Sequence, residues 1–180
     1  MITKIAKWLG VLLLSVLVLF GAGYGYLRMQ DGAVEFFPWF TISIGGPFRS
    51  GETVASPSNW DFIKDRLEIE FQTVNPSTTR VVWVPVVEGK LFIVSGYMNS
   101  AIGKMWKQWP AYMEADNRVL IRIDGKIYEQ RLNRITEGEY IAPVMAQIAR
   151  KYFGGSGESI PGSEIAVTSG SVWMFEVVDM

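Results

Sequence analysis

An uncharged apolar run near the amino terminus constrains this chain more than any other feature. No residue between Trp8 and Leu27 is charged, and residues 11–20 are apolar apart from Ser15. Such a stretch meets the ~20 residues that a helix needs to cross the hydrocarbon of a bilayer. A helix also satisfies its own backbone in lipid, where no water is present to do so. The sequence therefore predicts a transmembrane anchor over residues 1–27.

A cleaved signal peptide is the alternative interpretation of the same segment. Lys4 and Lys7 would form its basic region, and the small residues 21–23 would suit a peptidase. However, residues 24–26 prolong the run beyond a usual signal sequence, and no clean Ala-x-Ala pattern follows. We therefore expect an uncleaved anchor, with lipid as its partner.

The flanking cations predict the orientation of this anchor. Lys4 and Lys7 precede it, whereas Arg28 is the only cation that follows it before Arg49. Positively charged flanks stay in the cytoplasm. We expect the amino terminus to be cytoplasmic and residues 28–180 to lie outside the cytoplasm.

Composition removes several classes of chemistry. The chain of 180 residues has no histidine and no cysteine, which excludes a Ser/His/Asp triad, a cysteine nucleophile, a disulfide and a zinc site of thiolates and imidazoles. No acidic motif for calcium is present either, so we predict no metal site. Beyond the anchor, fifteen cations stand against eighteen acids, a net charge of −3. A surface built to bind nucleic acid is therefore not indicated.

Between the anchor and the main domain, residues 28–57 read as a juxtamembrane connector. The aromatic cluster 36–40 would lie either at the membrane interface or against the domain, and the breaks at 45–47 and 56–57 interrupt regular structure. The globular domain is then residues 58–180.

Hydrophobic periodicity predicts a mainly β (α+β) domain. Apolar and polar residues alternate over 67–74, as in a strand with one buried face. We predict six strands and three helical stretches: strands 67–74, 81–87, 91–95, 119–123, 126–132 and 172–177, and helices near 61–65, 101–113 and 139–152. Turns at 75–78, 88–90 and 124–125 make hairpins of successive strands. The expected architecture is a six-stranded antiparallel split β-barrel with inserted helices behind the transmembrane helix.

Two local patterns carry further expectations. Ser58 followed by Asp61 resembles a capping box that opens the first short helix. The strand 81–87 is apolar on both faces, which is typical of a strand covered on two sides or crossing a dimer interface, although Pro85 marks an edge or a bulge.

Five segments of the domain carry a resemblance to a known family. They are Thr79-Arg80, Glu88–Tyr97, Lys104–Lys107, Glu114–Val119 and Asp124–Tyr128. In this order they resemble the split β-barrel of flavin- and deazaflavin-binding oxidoreductases. The deazaflavin-dependent nitroreductases are nearest, and the pyridoxamine-phosphate-oxidase-like proteins are further off. The likeness covers roughly residues 60–178.

The resemblance implies a cofactor, FMN or a deazaflavin, bound at the interface of a homodimer. It also implies that basic and hydroxyl residues hold the cofactor phosphate while aromatic residues line the ring. The matching positions are Ser77, Thr78, Thr79 and Arg80 in the first hairpin, and Ser95, Gly96, Tyr97, Asn99, Lys104, Trp106 and Lys107 after the third strand. No residue is singled out as catalytic.

Each of these positions also has a purely structural interpretation. Arg80 would top an exposed turn, and Lys104 and Lys107 would form the solvated face of a helix. Tyr97, Trp106 and Trp109 would pack in the core, where Trp83 is also expected. Glu68 and Glu70 share a strand face that we expect to be exposed rather than to supply paired catalytic carboxylates.

Two functions follow from this interpretation. The first is a membrane-anchored oxidoreductase that binds a flavin or deazaflavin and reduces a small or lipophilic acceptor. The second is a membrane-tethered binding or assembly domain on the same barrel that has lost its cofactor, and the negative domain charge and the expected extracytoplasmic side motivate it.

Overall fold

The computed structural model describes residues 2–36, 42–100, 108–155, 158 and 161–180. Helix α1 (Ile2–Arg28) has the length and apolar composition of a membrane span, and none of its most apolar window is buried by the rest of the chain. Leu13, Leu17 and Phe20 of this helix are exposed, so the described part of the barrel does not cover them. The predicted apolar helix is confirmed as a separate element.

Beyond α1, the described chain is mainly antiparallel sheet. Its strands are β1 (Ala33–Phe36), β2 (Ile42–Gly45), β3 (Glu52–Val54), β4 (Glu68–Thr73), β5 (Thr78–Trp83), β6 (Val86–Val87), β7 (Lys90–Ser95), β8 (Arg118–Ile123), β9 (Lys126–Ile135) and β10 (Trp173–Asp179). The helices are a 3₁₀ turn (Asp61–Ile63), α2 (Trp109–Ala115), α3 (Ile141–Tyr152) and α4 (Ser163–Thr168).

The sheet has the strand order β1-β2-β5-β4-β8-β9-β10-β7-β6, and β3 adds to β9 in parallel. It curls into a half-barrel, so β5 and β7 approach each other although they are not hydrogen-bonded neighbours. Phe71, Ile121 and Phe175 fill the interior of the curl and are almost fully buried. The predicted split-barrel fold class is thereby confirmed.

The predicted connector, residues 28–57, contributes β1, β2 and β3 to this sheet. Short strands that join at the edge are hard to recognise, because each has only three or four residues and little alternation. Residues 37–41, within the aromatic cluster, lie outside the described residues.

The turns between strands follow the sequence closely. Asp124-Gly125 joins β8 to β9 and Glu88-Gly89 joins β6 to β7, and all four residues have positive φ. This is the conformation that a two-residue hairpin with the favoured twist requires. A cis Asn75–Pro76 bond lies in the β4–β5 turn.

The predicted strand 81–87 is divided in two. Pro85 has no N–H to donate, and β5 ends at Trp83 while β6 starts at Val86. Strand β5 pairs with β4, and β6 pairs with β7. Val82 and Val84 face the barrel interior, whereas Trp83 packs towards α3. One chain therefore covers both apolar faces of this segment.

Helix α3 closes the outer face of the sheet beside β5 and β7. Ile141, Val144 and Ile148 recur at helical spacing and bury against Phe92 and Met174. This amphipathic helix was predicted from residue 139 onward. The residues around 109–115 form a helix as expected, while the preceding residues 101–107 lie outside the described part of the chain.

The carboxyl end of α3 is tied to the break at Pro85. The Tyr152 hydroxyl accepts the Val84 amide at 2.8 Å and donates to the Leu67 carbonyl at 2.5 Å. Lys151 Nζ donates to the Val84 carbonyl at 2.6 Å. The Val84 amide also donates to the Leu67 carbonyl at 3.2 Å, so these side chains add to the backbone hydrogen bonds beside the break. Burial raises the pKa of Tyr152 to about 12.

The capping box predicted for the 3₁₀ turn is wrong. Trp60 occupies the N-cap position without a side-chain bond, and the Asp61 amide donates to Asn59 Oδ1 at 2.6 Å. The turn is a single 3₁₀ segment of three residues. The Asn59 side chain, two residues before Asp61, therefore accepts the Asp61 amide that the Ser58 hydroxyl would have accepted in an α-helix.

A group of charged residues joins α1 to the barrel, and we call it the junction cluster: Asp31, Glu70 and Arg122. Arg122 Nε and Nη2 lie 2.7 and 2.8 Å from the two Glu70 oxygens, and Nη1 lies 2.7 Å from Asp31 Oδ1. The Arg122 guanidinium also covers the Phe48 ring at 4.3 Å. Glu70, expected on an exposed face, is therefore half-buried and paired.

Two glycines let the chain pass close to the end of α1. A Cβ on Gly45 would lie 1.8 Å from the Gly32 carbonyl oxygen, and one on Gly46 would lie 2.3 Å from the Gln30 carbonyl oxygen. Real Cβ atoms do not approach backbone this closely, so only glycine fits at either position. The barrel and the end of the apolar helix are thus in direct backbone contact.

Candidate functional site

A cavity of about 910 Å³ lies in the opening of the half-barrel, bounded by β5 on one side and the end of β7 on the other. Helices α1, α2 and α3 complete its walls. The residues that line it include Tyr24, Arg28, Gly45, Thr78, Thr79, Arg80, Val81, Trp83, Val94, Ser95, Gly96, Tyr97, Asn99, Trp109, Tyr112, Met145, Ile148 and Phe153. This size is within the range of small-molecule and cofactor sites.

The structure brings most of the sequence-predicted site residues to this one cavity. Thr78, Thr79, Arg80, Ser95, Gly96, Tyr97 and Asn99 all line it. Ser77 lies beside the cavity at the start of β5, and Lys104, Trp106 and Lys107 lie outside the described residues. Two segments that are distant in sequence meet because the sheet curls and places β5 opposite β7.

Arg80 presents a desolvated cation to the cavity. Its Nη2 donates to Thr78 Oγ1 at 2.6 Å, and its Cζ lies 5.6 Å from the centre of the Trp109 ring. Its Nε is buried without a hydrogen-bond partner, and no carboxylate of the described residues forms an ion pair with it. Burial lowers the pKa of Arg80 to about 10, so the group remains charged at neutral pH.

The hydroxyl residues next to Arg80 differ in their hydrogen bonds. Thr79 is buried and its Oγ1 donates to the Gly46 carbonyl at 2.8 Å, so its proton is committed to holding the segment before β3. Thr78 Oγ1 lies 2.8 Å from Thr73 Oγ1 and accepts from Arg80. Ser77 Oγ is buried and has no partner among the described residues. Thr73 Oγ1 donates to the Pro76 carbonyl, so the Thr78 proton goes to Thr73 Oγ1, and only the Ser77 hydroxyl beside the cavity keeps a free donor.

The opposite wall is open and shaped by its backbone. Gly96 has no heavy atom within 4 Å of the place where a Cβ would stand. Tyr97 has φ 63° and is 76% exposed at the cavity rim. A bulky residue in the left-handed region is an outlier, and such conformations concentrate at ligand sites. Ser95 donates to Met98 Sδ at 3.4 Å, a weak acceptor that a better one would displace.

The remaining surface of the cavity is apolar and aromatic. The Trp83 ring stacks on Tyr152 with centroids 4.3 Å apart, and Trp109 packs edge-on against Phe71 at 5.2 Å. Both tryptophans thus form core contacts on one side and cavity wall on the other. Trp109 was expected either to line a ligand cavity or to pack in the core, and in the structure it does both.

Sequence reasoning missed several lining residues: Tyr24, Arg28, Tyr112, Met145, Ile148 and Phe153. Met145 and Ile148 were identified only as the buried face of a helix, and Arg28 only as a charge that flanks the membrane span. A helical stripe does not reveal which part of it faces a cavity. The one available signal was Arg28 itself, the first cation after a long uncharged run.

A second, more open cavity of about 670 Å³ lies near the carboxyl end of α2 and contains Arg118, Arg131 and Arg134. Arg118 is bidentate on Asp116, with bonds of 2.9 and 2.7 Å, and this bond lowers the pKa of Asp116 to about 2. Arg134 stacks over Trp173 at 3.6 Å. Two of these cations therefore already have partners within the chain.

Within the ranges that the structure describes, no group of three or more Asp or Glu side chains could hold a metal ion. The cavity lining in those ranges also contains no carboxylate. The chemistry available in the first cavity is thus the binding of an anion by Arg80 and of a flat apolar group by its aromatic walls.

No model of a known protein family matches the sequence, and no curated protein matches it either. Among solved structures, the chain is similar to the conserved hypothetical protein Rv2991 from Mycobacterium tuberculosis. The two are 16% identical with a TM-score of 0.47, and the match covers 66% of this chain and 76% of the other.

Proposed function

We propose that this chain is a membrane-anchored split-barrel protein that binds FMN or a deazaflavin in the cavity between β5 and β7. The observation that carries the proposal is Arg80, a cation removed from water with an unpaired buried Nε. A buried charge without a partner is costly, and proteins retain one where a ligand supplies the counter-ion.

The residues present fit the phosphate of such a cofactor. Arg80 offers the charge, Thr78 orients its guanidinium, and the unpartnered hydroxyl of the neighbouring Ser77 can donate a further hydrogen bond. Charge-assisted hydrogen bonds to phosphate are the strong class, and arginine geometry suits them. The opposite end has no charged side chain among its described residues and would hold the apolar ring system against Trp83 and Ile148.

Bound in this way, the cofactor would supply hydride chemistry that the protein's own side chains cannot perform. The chain's part is to fix the phosphate at Arg80, hold the ring against Trp83 and Ile148, and leave an open rim at Gly96 and Tyr97 for an acceptor. A small or lipophilic acceptor suits a cavity that also borders Tyr24 of the apolar helix.

Topology and assembly belong to the same proposal. Helix α1 anchors the chain in a bilayer, and the flanking lysines place the barrel on the extracytoplasmic side. A homodimer with cofactor at the subunit interface follows from the family resemblance.

The test is a spectrum followed by a titration. Full-length protein in lipid nanodiscs is examined for bound flavin or deazaflavin absorbance and then titrated with FMN and with a deazaflavin, following quenching of tryptophan fluorescence. We expect saturable quenching by one of them, because Trp83 and Trp109 line the cavity. A colourless protein that responds to neither would overturn the oxidoreductase proposal and favour the tethered binding domain.

A further inference from the structure

Arg28 ends the apolar helix and also lines the cavity. Its Nη1 donates to the Gly45 carbonyl at 2.5 Å and its Nη2 to the Ser77 carbonyl at 2.6 Å. These two bonds fix the guanidinium beside the turn that leads into β5. A guanidinium has five N–H donors, so three remain for a ligand.

Two guanidinium groups therefore converge on one end of the cavity. Arg28 holds the carbonyl of Ser77, and Arg80 holds the hydroxyl of the next residue, Thr78. The Oγ of Ser77, the residue whose carbonyl Arg28 holds, is buried without a hydrogen-bond partner among the described residues. No carboxylate among the described lining residues offsets these cations.

The charge balance at this end selects the ligand. The carboxyl end of a helix carries a partial charge equivalent to about −0.5, which by itself disfavours an anion. The two cations of Arg28 and Arg80 outweigh it and leave an uncompensated charge of about +1.5. A phosphomonoester, with a charge of about −1.5 to −2 at neutral pH, matches this end better than a neutral or singly charged group.

We propose that Arg28 is a ligand-binding residue and that, together with Arg80, it makes the cavity specific for a phosphomonoester. The inference rests on the proposed function and deepens it, since it favours FMN over a flavin without phosphate. It also makes the apolar helix part of the binding site, because Arg28 is its last residue.

A physical coupling follows from this arrangement. A ligand that binds Arg28 stabilises the docking of the helix end against Gly45, and docking in turn preorganises the site. Such coupling is reciprocal by thermodynamic necessity. Ligand should therefore protect the segment around residues 28–32 from proteolysis.

The experiment compares FMN with riboflavin, which lacks the phosphate. Both are titrated into the full-length protein in nanodiscs, and the ratio of their dissociation constants measures the contribution of the phosphate. The variants are Arg28→Gln, Arg28→Lys and, as a control, Arg150→Gln, which removes an exposed cation of α3. We expect Arg28→Gln to lower the preference for FMN roughly 10-fold to 100-fold, in keeping with one charge-assisted hydrogen bond.

Arg28→Lys keeps the charge and should recover part of the preference, whereas Arg150→Gln should leave it unchanged. The outcomes are separable. If Arg28→Gln weakens FMN and riboflavin equally, Arg28 only supports the structure and this inference is wrong while the proposed function stands. If the wild-type protein binds neither compound, this inference is wrong, and the proposed function is overturned as well when the protein also fails to bind a deazaflavin. Protection of residues 28–32 by FMN but not by riboflavin supports the inference independently.

Discussion

Arg122 and Arg80 show two opposite ways in which this protein keeps an arginine out of water. In the junction cluster, Arg122 is bidentate on Glu70 and contacts Asp31, so its charge is compensated within the chain. In the cavity, Arg80 has a threonine hydroxyl, a tryptophan face and an unpaired Nε. The first arrangement holds the molecule together, and the second leaves a cation that we propose binds an anionic ligand.

We expect the largest effect on stability at the close backbone contact between Gly45 and the chain that follows the apolar helix. Gly45→Ala places a Cβ 1.8 Å from the Gly32 carbonyl oxygen, where only backbone could move. We expect a loss of about 3 kcal/mol in the free energy of unfolding, measured by chemical denaturation. Gly96→Ala is the matched control on the other cavity wall and should change stability little, since nothing lies within 4 Å of its Cβ. Equal stability of the two variants would contradict this description of the junction.

The second prediction compares how replacing Arg122 and replacing Arg80 change the stability of the protein. Arg122→Met leaves the half-buried Glu70 and the exposed Asp31 without this counter-ion and should destabilise the protein by about 2 kcal/mol, less than for a fully buried pair. Arg80→Met removes an uncompensated cation and should leave the ligand-free protein unchanged or more stable by about 1 kcal/mol.

The same two variants should differ in ligand binding. Arg80→Met should abolish the preference for FMN over riboflavin, while Arg122→Met, where it folds, should retain it. Thermal unfolding with and without FMN gives both quantities. A loss of stability on Arg80→Met as large as that of Arg122→Met would remove the distinction between the two sites.

The smallest effect concerns acid stability of the junction. Burial by itself would raise the pKa of Asp31, but hydrogen bonds from the Arg49 amide, Ser50 and Arg122 outweigh it and hold that pKa well below its usual range. A carboxyl whose pKa is lower in the folded state contributes stability above its unfolded pKa of about 3.9 and loses it as the pH falls further.

Stability measured from pH 6 down to pH 2 should therefore decline more steeply in the wild-type protein than in Asp31→Asn. Arg80→Met should keep the wild-type slope, because no carboxylate of the described residues pairs with Arg80. An identical slope in Asp31→Asn and wild type would mean that Asp31 does not contribute to acid stability.

The strands and the apolar helix were predictable because their patterns are local. Residues 67–74 alternate with period two, residues 119–132 form two runs around an Asp-Gly turn, and residues 8–27 carry no charge, so nearest neighbours decide each structure. The short strands β1 to β3 were missed because they are ordered by the partners they join, β5 and β9, which are far away in sequence. Pro85 was recognised as a break, but its effect on strand pairing was not.

The sequence indicated several of the residues that line the candidate cavity, but it did not indicate the geometry of the cavity. The resemblance to a family indicated Thr78, Arg80, Ser95 and their neighbours, yet not that β5 and β7 would face each other across an opening. Arg80 had two interpretations, an exposed turn or a ligand, because sequence carries no information on whether water reaches a side chain. Its burial depends on Trp109 and Tyr112, which α2 brings from about thirty residues away.

The sequence alone determined that the chain has an apolar helix of membrane-span length, a mainly antiparallel domain and no histidine or cysteine chemistry, since these depend on composition and local periodicity. Only the tertiary structure decided which charged side chains form ion pairs and which line the cavity. It paired Glu70 with Arg122 and left Arg80 and Arg28 facing one cavity whose described lining contains no acid. Electrostatic partnership depends on distance in space and on exclusion of water, and both arise only when the sheet has curled and the helices have docked.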